Sequence, residues 1–175
     1  MAGTADAIYA RALTLLDEEG VAGISARRLA AELRCSTKTL YQEVGNQDRL
    51  IRELVARHFA ALRLDFAEAP TWQESAVRWC RAVRTALLAH PHLSALMTFD
   101  DREPIAAYVD PLLNVLIAAG VDPSLSRNCC RVLVHTTISL TGAEIAARGE
   151  QADVFAEVFE NTIGWVVKGV AAEAT

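Results

Sequence analysis

A chain of 175 residues with 52% apolar and 22% charged content can bury a core as one compact domain or as a small module fused to a larger one. No apolar run approaches the roughly 18–20 residues that cross a bilayer, and no terminal stretch reads as a cleaved leader, so a soluble, unprocessed, cytoplasmic protein is expected. The net charge of −5 argues against nucleic acid only if it is evenly spread, and it is not.

Apolar residues recur at helical spacing almost throughout, without strand alternation, repeat or low-complexity tract, so an all-α fold is expected. The first helix runs from Ala5 to Glu19, with Ile8, Ala12, Leu15 and Leu16 on one face and Gly20 as its stop. Ser25 and Ser36 can each cap a helix of about two turns by accepting a bond from its free N–H groups. A longer helix starts near Gln47, carries Leu50, Leu54, Phe59 and Leu62, and ends before the break at residues 68–71. The next spans Trp72 to His90, with Trp72, Ala76, Trp79, Val83 and Leu87 inward, Arg78, Arg81 and Arg84 outward, and Pro91 closing it. Helices over 104–119, 124–148 and 151–172 complete the chain.

Four cysteines, Cys35, Cys80, Cys129 and Cys130, fall in helical segments with no C-x-x-C spacing, which fits reduced thiols rather than a disulfide framework. The adjacent Cys129 and Cys130 read as small buried apolar residues rather than as a redox or metal switch.

The two terminal helices bear on assembly. Taking about 100° per residue, Val154, Phe155, Val158, Phe159, Ile163, Trp165, Val166, Val167 and Val170 cover an arc of about 220°, too wide for one neighbour. In the preceding helix, Val132 to Ala143 contains no Asp, Glu, Lys or Arg. Helices 124–148 and 151–172 are therefore expected to form a homodimer as a four-helix bundle.

Between residues 25 and 52, six basic side chains (Arg27, Arg28, Arg34, Lys38, Arg49, Arg52) meet three acidic ones, whereas residues 53–175 carry 15 acidic and 10 basic. A short basic module thus precedes an acidic body. Within it, Ile24, Leu29, Leu33, Leu40 and Val44 can close a small core, leaving Thr37, Lys38, Thr39, Tyr41 and Gln42 as a hydrogen-bonding face. A helix fits the major groove and meets base edges with its N-terminal side chains. Gln42 suits adenine, Thr37 and Thr39 suit base edges or backbone, Lys38 suits guanine or phosphate, and Tyr41, Arg27 and Arg28 suit phosphate, with Ser36 as cap.

The run GISARRLAAELRCSTKTLYQEVGNQDRL, with its Leu-Ala…Leu-x-Cys-Ser-x-x-x-Leu-Tyr-x-x-Val-x-Asn spacing, resembles the signature of the tetracycline-repressor (TetR) family. ALLAHPHLSAL followed by PLLNVLIAAG is similar to that family's C-terminal domain. The resemblance implies a helix-turn-helix DNA-binding domain over 1–48 and a ligand-binding and dimerisation domain over 49–175. It further implies a repressor released from a palindromic double-stranded operator when an apolar or aromatic small molecule binds. Trp79, Val83, His90, Met97, Phe99, Tyr108 and Leu112 are the residues expected to line the effector pocket.

The chain departs from the family pattern at three places. Arg34 holds a turn position usually given to glycine, Glu43 stands where His is common, and Gln47 where Lys is common. The last two remove favourable charge, which supports an alternative: a member with weakened DNA binding that senses a ligand or partner protein. No metal site or cofactor is expected, since His58, His90, His92 and His135 include no pair at i and i+4. Asp100, Asp101 and Glu103 read as a solvated loop rather than a magnesium cluster. Without a nucleophile–base arrangement or phosphate loop, no enzymatic activity is expected.

Overall fold

The computed structural model describes residues 4–61, 69–96, 109–147 and 150–174, and these contain nine helices and no strand. They group into two compact units, described in turn.

The first unit opens with α1, Thr4–Glu19, whose Ile8, Ala12, Leu15 and Leu16 are buried as their spacing requires. Gly20 ends it at φ 70°, a left-handed conformation that a residue without Cβ enters freely. A short 3-10 turn, Val21–Gly23, leads to α2, Ala26–Glu32, and then α3, Thr37–Val44. Both start on a serine. The Ser25 hydroxyl accepts from the Arg28 N–H at 3.2 Å and the Ser36 hydroxyl from the Thr39 N–H at 3.0 Å. Each such cap contributes about 1 kcal/mol.

Between α2 and α3 the backbone at Arg34, the position where the family usually has glycine, sits at φ 52° in the left-handed region. Its N–H donates to Ala31 at 3.2 Å and the next N–H, of Cys35, donates to Ala30 at 2.9 Å. This paired closure of a helix end favours glycine, so arginine there costs up to about 1 kcal/mol. Ile24, Leu29, Ala30, Leu40 and Val44 are buried with the inward face of α1, while Leu33 is only half-buried.

Helix α4, Gln47–Ala61, begins where the Asn46 side chain accepts from the Arg49 N–H at 2.8 Å. Leu50, Leu54 and Val55 face inward; Leu62 lies outside the described residues. The unit also includes α6, Pro91–Ser94, which follows α5 directly in the chain. Helix α5 ends at Ala89, one residue short of the expected end and just before Pro91, and Pro91 also opens a new helix, at the first-turn position where its missing N–H goes unused. Arg52 donates to the Leu96 carbonyl at 2.8 Å, tying α4 to the residues after α6.

The second unit consists of α5, Trp72–Ala89, α7, Val109–Ala118, α8, Pro123–Ala146, and α9, Glu150–Glu173. Trp72, Ala76, Trp79, Val83 and Leu87 of α5 are buried, as are Leu112, Leu133, Phe159, Ile163 and Val167 from the other three helices. Arg78 is exposed and Arg81 pairs with Glu160 at 2.7 Å near the surface. Arg84, read as outward, is instead partly buried in a two-point pair with Glu144, its guanidinium 5.3 Å from the centre of the Phe159 ring. Periodicity assigned it to the polar sector without knowing that α8 and α9 meet there.

Cys80, Cys129 and Cys130 are buried, and burial pushes their thiols up to about 12, 11 and 12 respectively, so they are neutral at physiological pH. The wide apolar arc of α9 divides in two. Phe159, Ile163 and Val167 enter the core, while Val154, Val158 and Trp165 stand 58%, 39% and 68% exposed, joined by Val132 of α8 at 46%.

Candidate nucleic-acid interface

The residues from Ser25 to Val44 form a helix, a tight turn and a second helix, held by two serine caps and one left-handed residue. Apolar positions at Leu40 and Val44 fix one side of α3 to the core, so the remaining sides face water. Thr37, Lys38, Thr39, Tyr41 and Gln42 are all exposed, Tyr41 at 40% despite its ring. Ser36 does more than cap: its hydroxyl also bonds the Thr39 hydroxyl at 2.9 Å, which orients that side chain at the helix start. The arrangement can present hydroxyl, amide, ammonium and phenol groups to a hydrogen-bonding surface.

The arginines of α2 part company. Arg27 is exposed, but Arg28 reaches both carboxylate oxygens of Glu19 and, at 3.3 Å, one of Glu32, whose other oxygen meets Arg11. Arg28 holds the Glu19 carboxyl below its usual range, and Arg11, then Arg28, do the same to Glu32. A phosphate must therefore compete with two carboxylates for Arg28, which the sequence reading did not foresee because Glu19 lies on another helix.

Gln47 shows what its departure from lysine accomplishes. Its amide donates to the Ile24 carbonyl at 2.7 Å, pinning the start of α4 to the segment before α2. Nothing in local sequence signals this, because the partner is 23 residues away. Glu43 is exposed on α3.

Of the residues expected around an effector, Trp79, Val83 and Leu112 belong to the second unit's core, where α5 packs on α7. His90 belongs to the first unit, with Nδ1 at 3.3 Å from both oxygens of Asp17 and its ring 4.3 Å, edge-on, from that of His58. Met97, Phe99 and Tyr108, and the acidic triplet 100–103, lie outside the described residues. Among the described residues no group of His, Cys, Asp and Glu could hold a metal ion, and no helix is long and apolar enough to cross a membrane.

No family model matches the chain. A tetracycline repressor protein of class E from Escherichia coli is 37% identical over 87 residues, 49% of this chain and 41% of that protein. The chain spans about two fifths of the length of the curated relatives it matches. BioQ, solved with its natural double-stranded DNA operator, superposes with a TM-score of 0.76 at 26% identity, covering 98% of this chain and 99% of that one. The TetR family protein ActR from Streptomyces coelicolor, solved with (S)-DNPA, superposes with a TM-score of 0.76 at 22% identity over all of both chains. The chain is thus similar in sequence to a tetracycline repressor over about half its length, and it shares the fold of TetR family structures from end to end.

Proposed function

We propose that the chain is a transcriptional repressor that binds a palindromic double-stranded operator as a homodimer and leaves it when an apolar or aromatic small molecule binds. The exposed polar face of α3 carries this reading: five side chains able to bond base edges or phosphates project from a helix whose opposite side is anchored in the core. Residues 1–48 read the DNA, with Gln42, Thr37 and Thr39 on base edges and Lys38, Tyr41 and Arg27 on the backbone. Arg28 joins them if phosphate displaces Glu19 and Glu32.

Residues 49–175 bind the effector and the second copy. Val132, Val154, Val158 and Trp165 support the dimer, since a large exposed apolar stripe on two adjacent helices marks an interface. ActR, a relative in fold, was solved with a small molecule, and Trp79, Val83 and Leu112, with His90, Met97, Phe99 and Tyr108, are our candidates for the effector site. The reading is not enzymatic. A cytoplasmic location follows from the DNA partner rather than from helix hydropathy.

Selection from random duplex DNA should return a site with two-fold symmetry, and sedimentation at micromolar concentration should give twice the 19.0 kDa chain mass. Recovery of no preferred sequence would overturn the operator reading. Glu43 and the engaged Arg28 favour the second reading, a ligand or partner sensor with weak DNA binding. Glu43→His restores operator affinity if that reading holds.

A further inference from the structure

Arg34 is the non-glycine residue that holds a left-handed backbone among the described residues, at φ 52°. The hydrogen bonds that close α2, from Arg34 to Ala31 and from Cys35 to Ala30, set that geometry whatever the side chain is. Glycine is the residue this closure favours, so arginine occupies the position against the preference of its own backbone. Strain of this kind points to a role for the side chain outside the fold.

The surroundings say which role. Arg34 is exposed and enters no ion pair with another described residue. That sets it apart from Arg28 and Arg11, which are engaged with Glu19 and Glu32. It stands two residues before the Ser36 cap, at the same end of α3 as Thr37 and Lys38. In a helix-turn-helix docked in the major groove, this end of the second helix lies nearest the DNA, flanked by phosphates. A long cation there, with no ion-pair partner among the described residues, is complementary to a phosphate oxygen.

We propose that Arg34 is a phosphate-contacting residue of the DNA interface, adding one backbone contact per chain where the usual turn residue offers none. The proposal rests on the operator-binding reading above. It differs from that reading in predicting opposite effects on folding and on binding. The alternative role for Arg34 is internal: a positive charge at the end of α2 that offsets the partial negative charge of the helix terminus.

The test uses the full chain with Arg34→Gly, Arg34→Gln and Arg34→Lys, a duplex obtained by selection with the unaltered protein, and a scrambled duplex of equal length. Affinity is measured by fluorescence anisotropy across a series of KCl concentrations, and stability by urea unfolding. Arg34→Gly is expected to unfold at the same or higher urea concentration. Its slope of log affinity against log salt should fall by about 0.9 per chain, about 1.8 for a dimer, with both duplexes affected alike. Near 0.1 M salt this amounts to roughly an eightfold loss per contact. Arg34→Gln should lose the same slope and Arg34→Lys should keep it. An unchanged slope in Arg34→Gly overturns the phosphate role and leaves operator binding standing. Lowered urea resistance with an unchanged slope assigns Arg34 to the end of α2. Failure of the unaltered protein to bind any duplex overturns both readings together.

Discussion

The two units differ in how deeply they bury charge. In the first, ion pairs lie in water: Arg28 is 39% exposed, its partners Glu19 and Glu32 are 43% and 27% exposed, and Arg57 and Asp6 are 46% and 56% exposed. The second also has a surface pair, Arg81 with Glu160, but there Arg84 and Glu144 are 21% and 11% exposed, with the Arg84 guanidinium over the Phe159 ring. A surface pair contributes little to stability because water solvates its members almost as well apart. A pair shielded by helices cannot lose one member without stranding the other. The paired cations of the first unit stay within reach of water, while the second unit uses one shielded pair to lock α5, α8 and α9 together.

The sharpest way to break this comparison is to strike the second unit at its centre. Phe159→Ala removes a fully buried ring beneath Arg84 and should cost about 3–5 kcal/mol in urea unfolding. A loss below about 1 kcal/mol would mean that the unit's stability lies elsewhere. Next comes the pair itself. Glu144→Gln leaves a partly buried guanidinium without its counter-charge and should cost about 2 kcal/mol, less than a fully buried pair because Arg84 keeps some access to water. Arg28→Gln, the matching change in the first unit, should lower the unfolding midpoint only slightly, well short of the Glu144→Gln loss, because its ion pairs are exposed. Equal losses for the two substitutions would erase the distinction.

What was legible in the sequence follows the same division. Local rules found what local chemistry decides: the faces of α1 and α5, the Ser25 and Ser36 caps and the stop at Gly20. The exposed face of α3 was legible because Leu40 and Val44 leave the other side to water. Partnerships across distance were not. The periodicity that made Arg84 polar carried no information about Glu144, 60 residues away. Gln47 bonding Ile24, Glu19 capturing Arg28 and Asp17 meeting His90 escaped for the same reason. The split of the α9 arc into a core face and an exposed face was visible only as an excess of apolar residues.

Smaller effects test the first unit alone. Gln42→Ala should relax preference at one base pair by about 1–3 kcal/mol, measured by competition with single-substituted duplexes, while leaving the urea midpoint in place. Equal weakening for every sequence would move Gln42 to the backbone contacts. Ser36→Ala should instead lower stability by about 1 kcal/mol, because the Thr39 N–H loses its acceptor and the hydroxyl pair is broken. Its operator affinity should fall with it, since the start of α3 is where Thr37, Lys38 and Thr39 are placed.

The smallest expected effect concerns pH. Half-buried His58 has its pKa lowered, first by desolvation and then by His90, with Asp17 opposing the shift. The folded state therefore binds this proton less readily than the unfolded chain, whose histidine titrates near the ordinary value of about 6.5. Stability from this group is fully present above that value and is lost as pH falls from it toward the lowered folded value; below both it changes no further. The carboxylates Glu19 and Glu32, with pKa values held low by arginines, contribute stability of the same sign in a more acidic window, where they begin to protonate in the unfolded chain. Urea midpoints measured between pH 7.5 and 5.5 should therefore decline, and His58→Gln should flatten the decline while leaving the fall at lower pH. An unchanged decline in His58→Gln would assign the titration to another group and leave the His58–His90 contact without a part in it.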